Sequence, residues 1–286
     1  MSTQKNKIKK PEVAVRSLSS IIAEVLICNA QEWKIEFLTA GYNSIDFENL
    51  LKIVNTIKQL YKDELWLNVG VLSKQQLQQL KPFITGINGS IECINPSIRK
   101  RVCPSKNLKD IEAMFKHCDE LGLKKSITLI IGLGETEHDI PLLKEFIQKH
   151  NIDRVTFYAL IPHKGTRFKK GPDPKYYIRW IAYTRIHFPK LIVISGTWSN
   201  RVEEVSLLLK AGSNAITKFP AIRLFNSLEA NTIQYQAKLA RRQFIGSLSE
   251  HQKINIEVAL ENTTINANER ASVKKRLERY IERMSK

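Results

Sequence analysis

With 286 residues, 43% of them hydrophobic, the chain is long enough to bury one large core and ordinary enough in composition for a globular protein. Its formal charge of +17 favours anionic partners without naming one, and a solvated basic face accounts for many of the lysines equally well. No apolar run reaches eighteen residues and the N-terminus lacks a signal-like apolar segment, so no membrane is expected and the localisation expected is cytoplasmic.

In chain order the sequence alternates strand-like and helix-like patterns. Apolar runs suited to strands occur at 33–40, 64–70, 86–93, 126–133, 154–162, 190–198 and 214–219. Amphipathic helical periods occur at 14–30, 46–62, 73–81, 107–121, 137–150, 173–188 and 200–211. Ser73 with Gln76 and Thr136 with Asp139 have capping-box spacing, and Gly122 stands where a helix C-terminus wants positive φ. Repeated strand–helix units with runs apolar on both faces predict an α/β fold, a parallel sheet covered by helices as an open doubly wound sheet or a (β/α) barrel. After Pro220 the pattern turns helical, so the reading is a barrel core over 1–220 and a helical extension over 221–286 that ends in a basic helix.

Four widely spaced cysteines, Cys28, Cys93, Cys103 and Cys118, include no C-x-x-C pair, which argues against a zinc ribbon or redox dithiol and predicts no metal ligands here. In a (β/α) barrel the chemistry gathers at the C-terminal strand ends. Here those ends are small or polar: Thr39 to Tyr42, Asn68 to Gly70, Ser90 to Cys93, Gly132 to Glu135, Ile161-Pro162 with Gly165-Thr166, Ser195 to Trp198, and Thr217-Lys218. Glycines at such tips let a ligand approach the backbone. Singly, each has a plainer account: Gly134 and Thr136 also suit a strand turning into a capped helix, and Glu92 also suits a solvated loop.

Together the tips resemble the radical S-adenosylmethionine (SAM) superfamily. SITLIIGLGETEHDI is similar to the fifth-strand motif G-x-I-x-G-x-x-E, with Ile130 or Ile131, Gly132, Gly134 and Glu135 in place and Thr128 near the first glycine. LTAGY resembles the second-strand segment that holds the SAM amino group, with Ala40 and Gly41 in the glycine places and Tyr42 or Asn43 where the acid would be. GSIEC resembles the fourth-strand segment, and IPHKGTRF the sixth-strand turn around adenine. AGSNAITKFP resembles the ending found in the biotin synthase and lipoyl synthase branch.

The resemblance implies a radical SAM-type (β/α) barrel whose cofactors are SAM and a [4Fe–4S] cluster. It implies Ala40, Gly41 and Tyr42 at the methionine end, Ser90 and Glu92 at the ribose or carboxylate, and Gly132, Gly134, Glu135, Ile161 and Pro162 around the adenosine. The implied reaction is formation of a 5′-deoxyadenosyl radical for sulfur insertion or carbon-skeleton chemistry on a small-molecule substrate, with an acidic carrier protein as a possible bearer.

The departure from the family is the cluster motif. C-x-x-x-C-x-x-C after the first strand is absent, and the barrel as read lacks that first strand too. Both gaps fall just before Met1, so the expectation is either an upstream segment or a relative that lost the cluster and kept the barrel. A barrel short of one strand leaves two unpaired edges, which invites an upstream strand or a partner chain.

Asn68, Cys93, Trp198 and Lys218 are the candidate substrate residues. Cys93 suits either an auxiliary-cluster ligand or a small apolar filler. Arg99, Lys100 and Arg101 are read as a basic loop, open to a phosphate or carboxylate or simply solvated. Two alternatives stay open: a cluster-less barrel that binds a nucleoside or completes a partner enzyme, and an aldolase-type lyase with Lys218 as Schiff-base residue. Nucleic acid is not expected, since no recognition helix or aromatic–basic interleaving is present.

Overall fold

The structure is a computed structural model that describes residues 15–41, 44–261 and 263–285. Helix α1 (Leu18–Ala30) precedes the sheet. Then come β1 (Leu38–Thr39), α2 (Phe47–Leu60), β2 (Trp66–Asn68), α3 (Lys74–Leu80), β3 (Gly86–Glu92), α4 (Pro96–Val102), α5 (Leu108–Leu121) and β4 (Lys124–Ile131). These are followed by α6 (Ile140–His150), β5 (Arg154–Ala159), α7 (Pro174–His187), β6 (Ile192–Gly196), α8 (Val205–Lys210) and β7 (Ala215–Thr217). Three helices follow: α9 (Leu228–Leu239), α10 (Ile256–Leu260) and α11 (Ala267–Met284).

All seven strands are parallel and paired in sequence order from β1 to β7, a curled half-barrel whose outer face the helices cover. Ile87, Ile91, Ile127, Leu129, Ile131, Val155 and Phe157 are buried, and each fully buried side chain of this size stabilises the fold by about 1.5–3 kcal/mol. The sequence places the helix ends. Ser73–Gln76 and Thr136–Asp139 both form reciprocal capping boxes, and Gly122 ends α5 at φ 67°.

Two elements differ from the sequence reading. The strand expected over 33–40 is confined to Leu38–Thr39. The residues before it leave the sheet, with the Ile35 N–H donating to the Tyr61 hydroxyl and Glu36 turned into the barrel. The basic stretch Arg99–Arg101, read as a loop, lies in α4, which Asn95 caps and Pro96 starts.

The open side between β1 and β7 is bridged within the chain. Glu36 accepts hydrogen bonds from Tyr158 of β5 (2.7 Å) and from Thr217 of β7. Below, the Trp33 indole donates to the Ser247 carbonyl at 2.9 Å. Trp33 also packs against a second apolar cluster that includes Val205, Leu209, Ala230, Ile233 and Leu248. The segment after β7 thus straps α8, α9 and the chain before β1 together. At the other end of the extension α11 lies on α1, where Tyr280 bonds Ser20 at 2.8 Å.

Candidate functional site

Strand register decides which side chains face the lumen. Within β3, β4 and β5 the outward residues are apolar apart from Lys125, which pairs with Asp119 of α5, whereas the inward ones include Asn88 and Ser90, Ser126 and Thr128, and Arg154, Thr156 and Tyr158. A packed (β/α) barrel fills these positions with Val, Ile and Leu. Here they form a hydrogen-bonded row instead. Ser90 donates to the Asn68 amide oxygen at 2.8 Å, and the Asn88 amide donates to Thr128 at 3.3 Å.

Two atoms of the row, Asn88 Oδ1 and Thr156 Oγ1, are buried without a partner among the described residues. Buried polar atoms are costly when unpaired, so orphans facing a lumen mark a place for a ligand or water.

The floor is closed by Arg154. Its guanidinium lies 3.9 Å over the Trp66 ring and 4.6 Å over Phe37, and it donates to the Glu36 carbonyl at 3.0 Å. Burial lowers the Arg154 pKa to about 10. Burial, together with the neighbouring Glu36 carboxylate, pushes the Tyr158 phenol well above its ordinary range, so Tyr158 stays a donor.

Above this floor a cavity of about 260 Å³ opens between the ends of β1, β2 and β3 and the start of α5. Ala40, Gly41, Asn68, Gly70, Asn88, Ser90 and Glu92 line it from the sheet, and Lys106, Asn107, Asp110, Ile111 and Met114 from the other wall. Glu92 ends β3 at φ 68°, after a register shift against β4, and pairs with Lys106. A non-glycine residue held in the left-handed region is strained, and such strain concentrates at functional sites.

Other expected residues fall elsewhere. The Glu135 carboxylate folds back to accept the Gly132 and Leu133 (2.8 Å) N–H groups, and Tyr176 donates to its carbonyl at 2.8 Å. It is buried, and burial raises its pKa. Its visible work is to hold the loop after β4, where Gly132 and Gly134 have φ values of 108° and 116° that a Cβ would strain. Ile161 and Pro162 are half-buried in the connection after β5 and do not line the cavity. Tyr42 and Asn43 lie outside the described residues.

Of the substrate candidates, Asn68 lines the cavity. Cys93 is buried in a small apolar cluster with Ile98 and Leu133, and burial pushes its thiol up to about 12. Those are the surroundings of an inert filler, not of a thiolate ligand. Lys218, at φ 71°, rests its ammonium 4.5 Å from the centre of the Tyr158 ring. Trp198 precedes the 3₁₀ turn that leads into α8. Sequence reasoning missed Asn88, Lys106 and Asp110. Asn88 was within reach, being two residues from Ser90 on the same strand face.

The cluster and SAM fare differently against these residues. Among the described residues no group of three or more Cys, His, Asp or Glu side chains could hold a metal. Cys28 and Cys118 sit in α1 and α5, and burial pushes each to about 12. A [4Fe–4S] cluster therefore finds no ligand set here. The glycine tips, the polar row and its orphaned atoms do suit a small polar molecule such as SAM. No helix among the described residues is long and apolar enough to cross a membrane.

Comparison with known proteins agrees with this fold. Residues 4–147 match the radical SAM superfamily, and residues 156–219 match the biotin and thiamin synthesis associated domain. An uncharacterized protein of Methanocaldococcus jannaschii is 36% identical over 92% of this chain and 73% of its own length. The biotin synthase of Methanococcus vannielii is 28% identical over 52% of this chain and 47% of its own length, so the chain spans about half of that relative. In fold, methylornithine synthase superposes with a TM-score of 0.61 at 15% identity, over 70% of this chain and 60% of that one. The chain belongs to the radical SAM superfamily, in its biotin synthase-like branch.

Proposed function

We propose that the chain binds SAM across the C-terminal ends of its strands and serves radical SAM chemistry of the sulfur-insertion or carbon-skeleton kind when an iron–sulfur cluster is supplied from outside the described residues. The observation that carries this reading is the polar inward row, with its orphaned Asn88 and Thr156 oxygens, beneath glycine tips that share one cavity.

In this reading Ala40 and Gly41 receive the amino-acid end of SAM. Asn68, Ser90 and Glu92 take its polar centre, and Lys106 balances the charge of Glu92. The cavity is smaller than the roughly 300 Å³ at which small-molecule sites usually begin, so an adenosyl ligand extends over the strand ends toward Gly132, Gly134, Ile161 and Pro162. Arg154, Trp66 and Phe37 seal the bottom against water.

SAM, when bound, supplies an adenosyl sulfonium as the source of the reactive group; the protein supplies position and shelter. The substrate is read as a small molecule, with an acidic carrier as a fitting bearer for so basic a chain. Among the described residues no strand pairs with the outer edge of β1 or of β7, which suits an added strand from elsewhere in the protein or from a partner chain.

The cluster-less nucleoside-binding reading keeps the same cavity. The lyase reading would need Lys218 as the Schiff-base residue, and its Nζ rests 4.5 Å from the centre of the Tyr158 ring.

Equilibrium dialysis tests the proposal. One SAM is expected to bind per chain, while anaerobic iron–sulfur reconstitution of this chain alone is expected to yield neither methionine nor 5′-deoxyadenosine. Failure to bind SAM overturns the reading; turnover by the chain alone overturns the need for an outside cluster.

A further inference from the structure

Two segments at the barrel mouth are basic with no acid among them. Residues 96–106 hold four lysines and arginines, residues 161–172 hold another four, and neither segment contains Asp or Glu. The first is helix α4 with the turn after it, and the second is the connection from β5 to α7. Both leave the C-terminal ends of their strands, the end of the sheet at which the cavity opens.

An apolar contact holds them side by side. Ile98 of α4 is buried with Cys93 and Leu133, and Val102 from one segment and Phe168 from the other pack against this cluster. Lys100 and Arg101 lie between Ile98 and Val102, while Arg167 and Lys169 flank Phe168. With the apolar residues turned in, Lys100, Arg101, Lys164, Arg167, Lys169 and Lys170 are all exposed.

None of the six is in an ion pair among the described residues. The carboxylates of the neighbouring segments are engaged: Glu92 with Lys106, Glu137 with Arg179, Asp139 with the Asn95 amide at 2.8 Å, and Glu135 with backbone N–H groups. Asp173 caps α7. The opposite end of the sheet is built differently, for there Lys124 pairs with Glu64 at 2.7 Å, Lys34 with Asp63 at 3.0 Å and Lys149 with Glu112 at 2.9 Å. Uncompensated positive charge therefore gathers at the mouth, where it draws an anionic partner.

Three classes of partner carry enough charge, and the rim suits them unequally. Single-stranded nucleic acid stacks its bases on open aromatic faces, but Phe168, the only Phe, Tyr or Trp of the two segments, has the Arg167 guanidinium 5.0 Å from its ring centre. An anionic membrane surface takes up inserted apolar side chains, yet the large exposed apolar residues, such as Leu228, Tyr235 and Ile245, all lie outside both segments. An acidic protein meets a partly covered apolar centre ringed by charge, which Phe168 and Val102 among the six cations provide.

We propose that this rim is the docking surface of an acidic protein, which meets the chain over the mouth of the barrel. Taking that protein as the bearer of the barrel's substrate rests on the function proposed above; the docking itself does not.

The test measures binding of a labelled polyglutamate peptide of about 20 residues, the size of one side of a standard interface, beside single-stranded RNA of equal charge and phosphatidylserine vesicles. Full-length wild type is compared with a mouth variant combining Lys100→Gln, Arg101→Gln, Lys169→Gln and Lys170→Gln. A control variant loses the same charge from the exposed side of α11, through Lys274→Gln, Lys275→Gln, Arg279→Gln and Arg283→Gln.

Wild type is expected to bind the peptide more tightly than RNA or vesicles. The mouth variant is expected to lose at least about 10-fold in peptide affinity at low salt and the control no more than about 2-fold, with the difference shrinking as salt is added. A photoreactive group on the peptide is expected to cross-link wild type within residues 96–106 and 161–172, a readout that decides the matter even where the mouth variant folds poorly.

No peptide binding to wild type, equal losses in the two variants, or cross-links concentrated on α11 each overturns the proposal. Tighter binding of RNA or vesicles than of peptide, lost in the mouth variant, overturns the choice of an acidic protein. SAM is absent from these measurements, so a chain that passes them but fails to bind SAM loses the proposed function and keeps the docking surface.

Discussion

Glu92→Ala is expected to weaken SAM binding by roughly 10- to 100-fold while the chain stays folded. The carboxylate stands at the rim of the cavity with a side chain only 20% exposed, and Lys106 holds it in place. A hydrogen bond to a charged group is worth about 1.5–3 kcal/mol, which sets the expected loss. Its ion pair with Lys106 is part-exposed and contributes at most about 1 kcal/mol to stability, so the fold tolerates its removal. Glu92→Gln keeps the reach and the acceptor and is expected to lose less. Isothermal titration of the three proteins with SAM, beside their melting curves, measures both effects. Unchanged affinity in Glu92→Ala would remove Glu92 from the site.

The second large effect concerns the strap that closes the open side. Gly246 has φ 77°, and a Cβ there would lie 2.0 Å from the Gln31 carbonyl oxygen and 3.3 Å from the Trp33 ring. Gly246→Ala is therefore expected to cost about 2–4 kcal/mol, combining left-handed backbone strain with a contact that neither backbone can relieve. Gly122→Ala supplies the control. Its φ is similar at 67°, but a Cβ there meets nothing within 4 Å, so only the backbone term of about 1 kcal/mol remains. Chemical denaturation of both variants measures the difference. Equal losses would show that the strap does not press on the segment before β1.

Much of this fold can be read from the sequence because parallel strands covered by helices are apolar on both faces. Ile127, Leu129 and Ile131 announce β4 whichever residues line the lumen, and the caps at Ser73, Thr136 and Gly122 are local chemistry that needs no partner. The overlong first strand shows where this stops. Trp33, Ile35 and Phe37 alternate as a strand would, but their direction is set by Tyr61, Ser247 and Arg154, all distant in sequence.

Helix α4 has seven residues and no amphipathic period, so its only sequence signal was Asn95 followed by Pro96. The site divides in the same way. Ala40, Gly41, Asn68, Ser90 and Glu92 announce themselves at strand ends, whereas Lys106 and Asp110 reach the cavity from the opposite wall through tertiary packing.

A crystal structure of the chain grown with SAM tests the central claim most directly. The account predicts one ligand whose amino-acid end lies at Ala40–Gly41, with Asn68, Ser90 and Glu92 along its middle and Gly132–Gly134 beside its adenine. Density for SAM on the helical outer face, or a filled cavity that leaves Glu92 and Ser90 without contact to it, would contradict it.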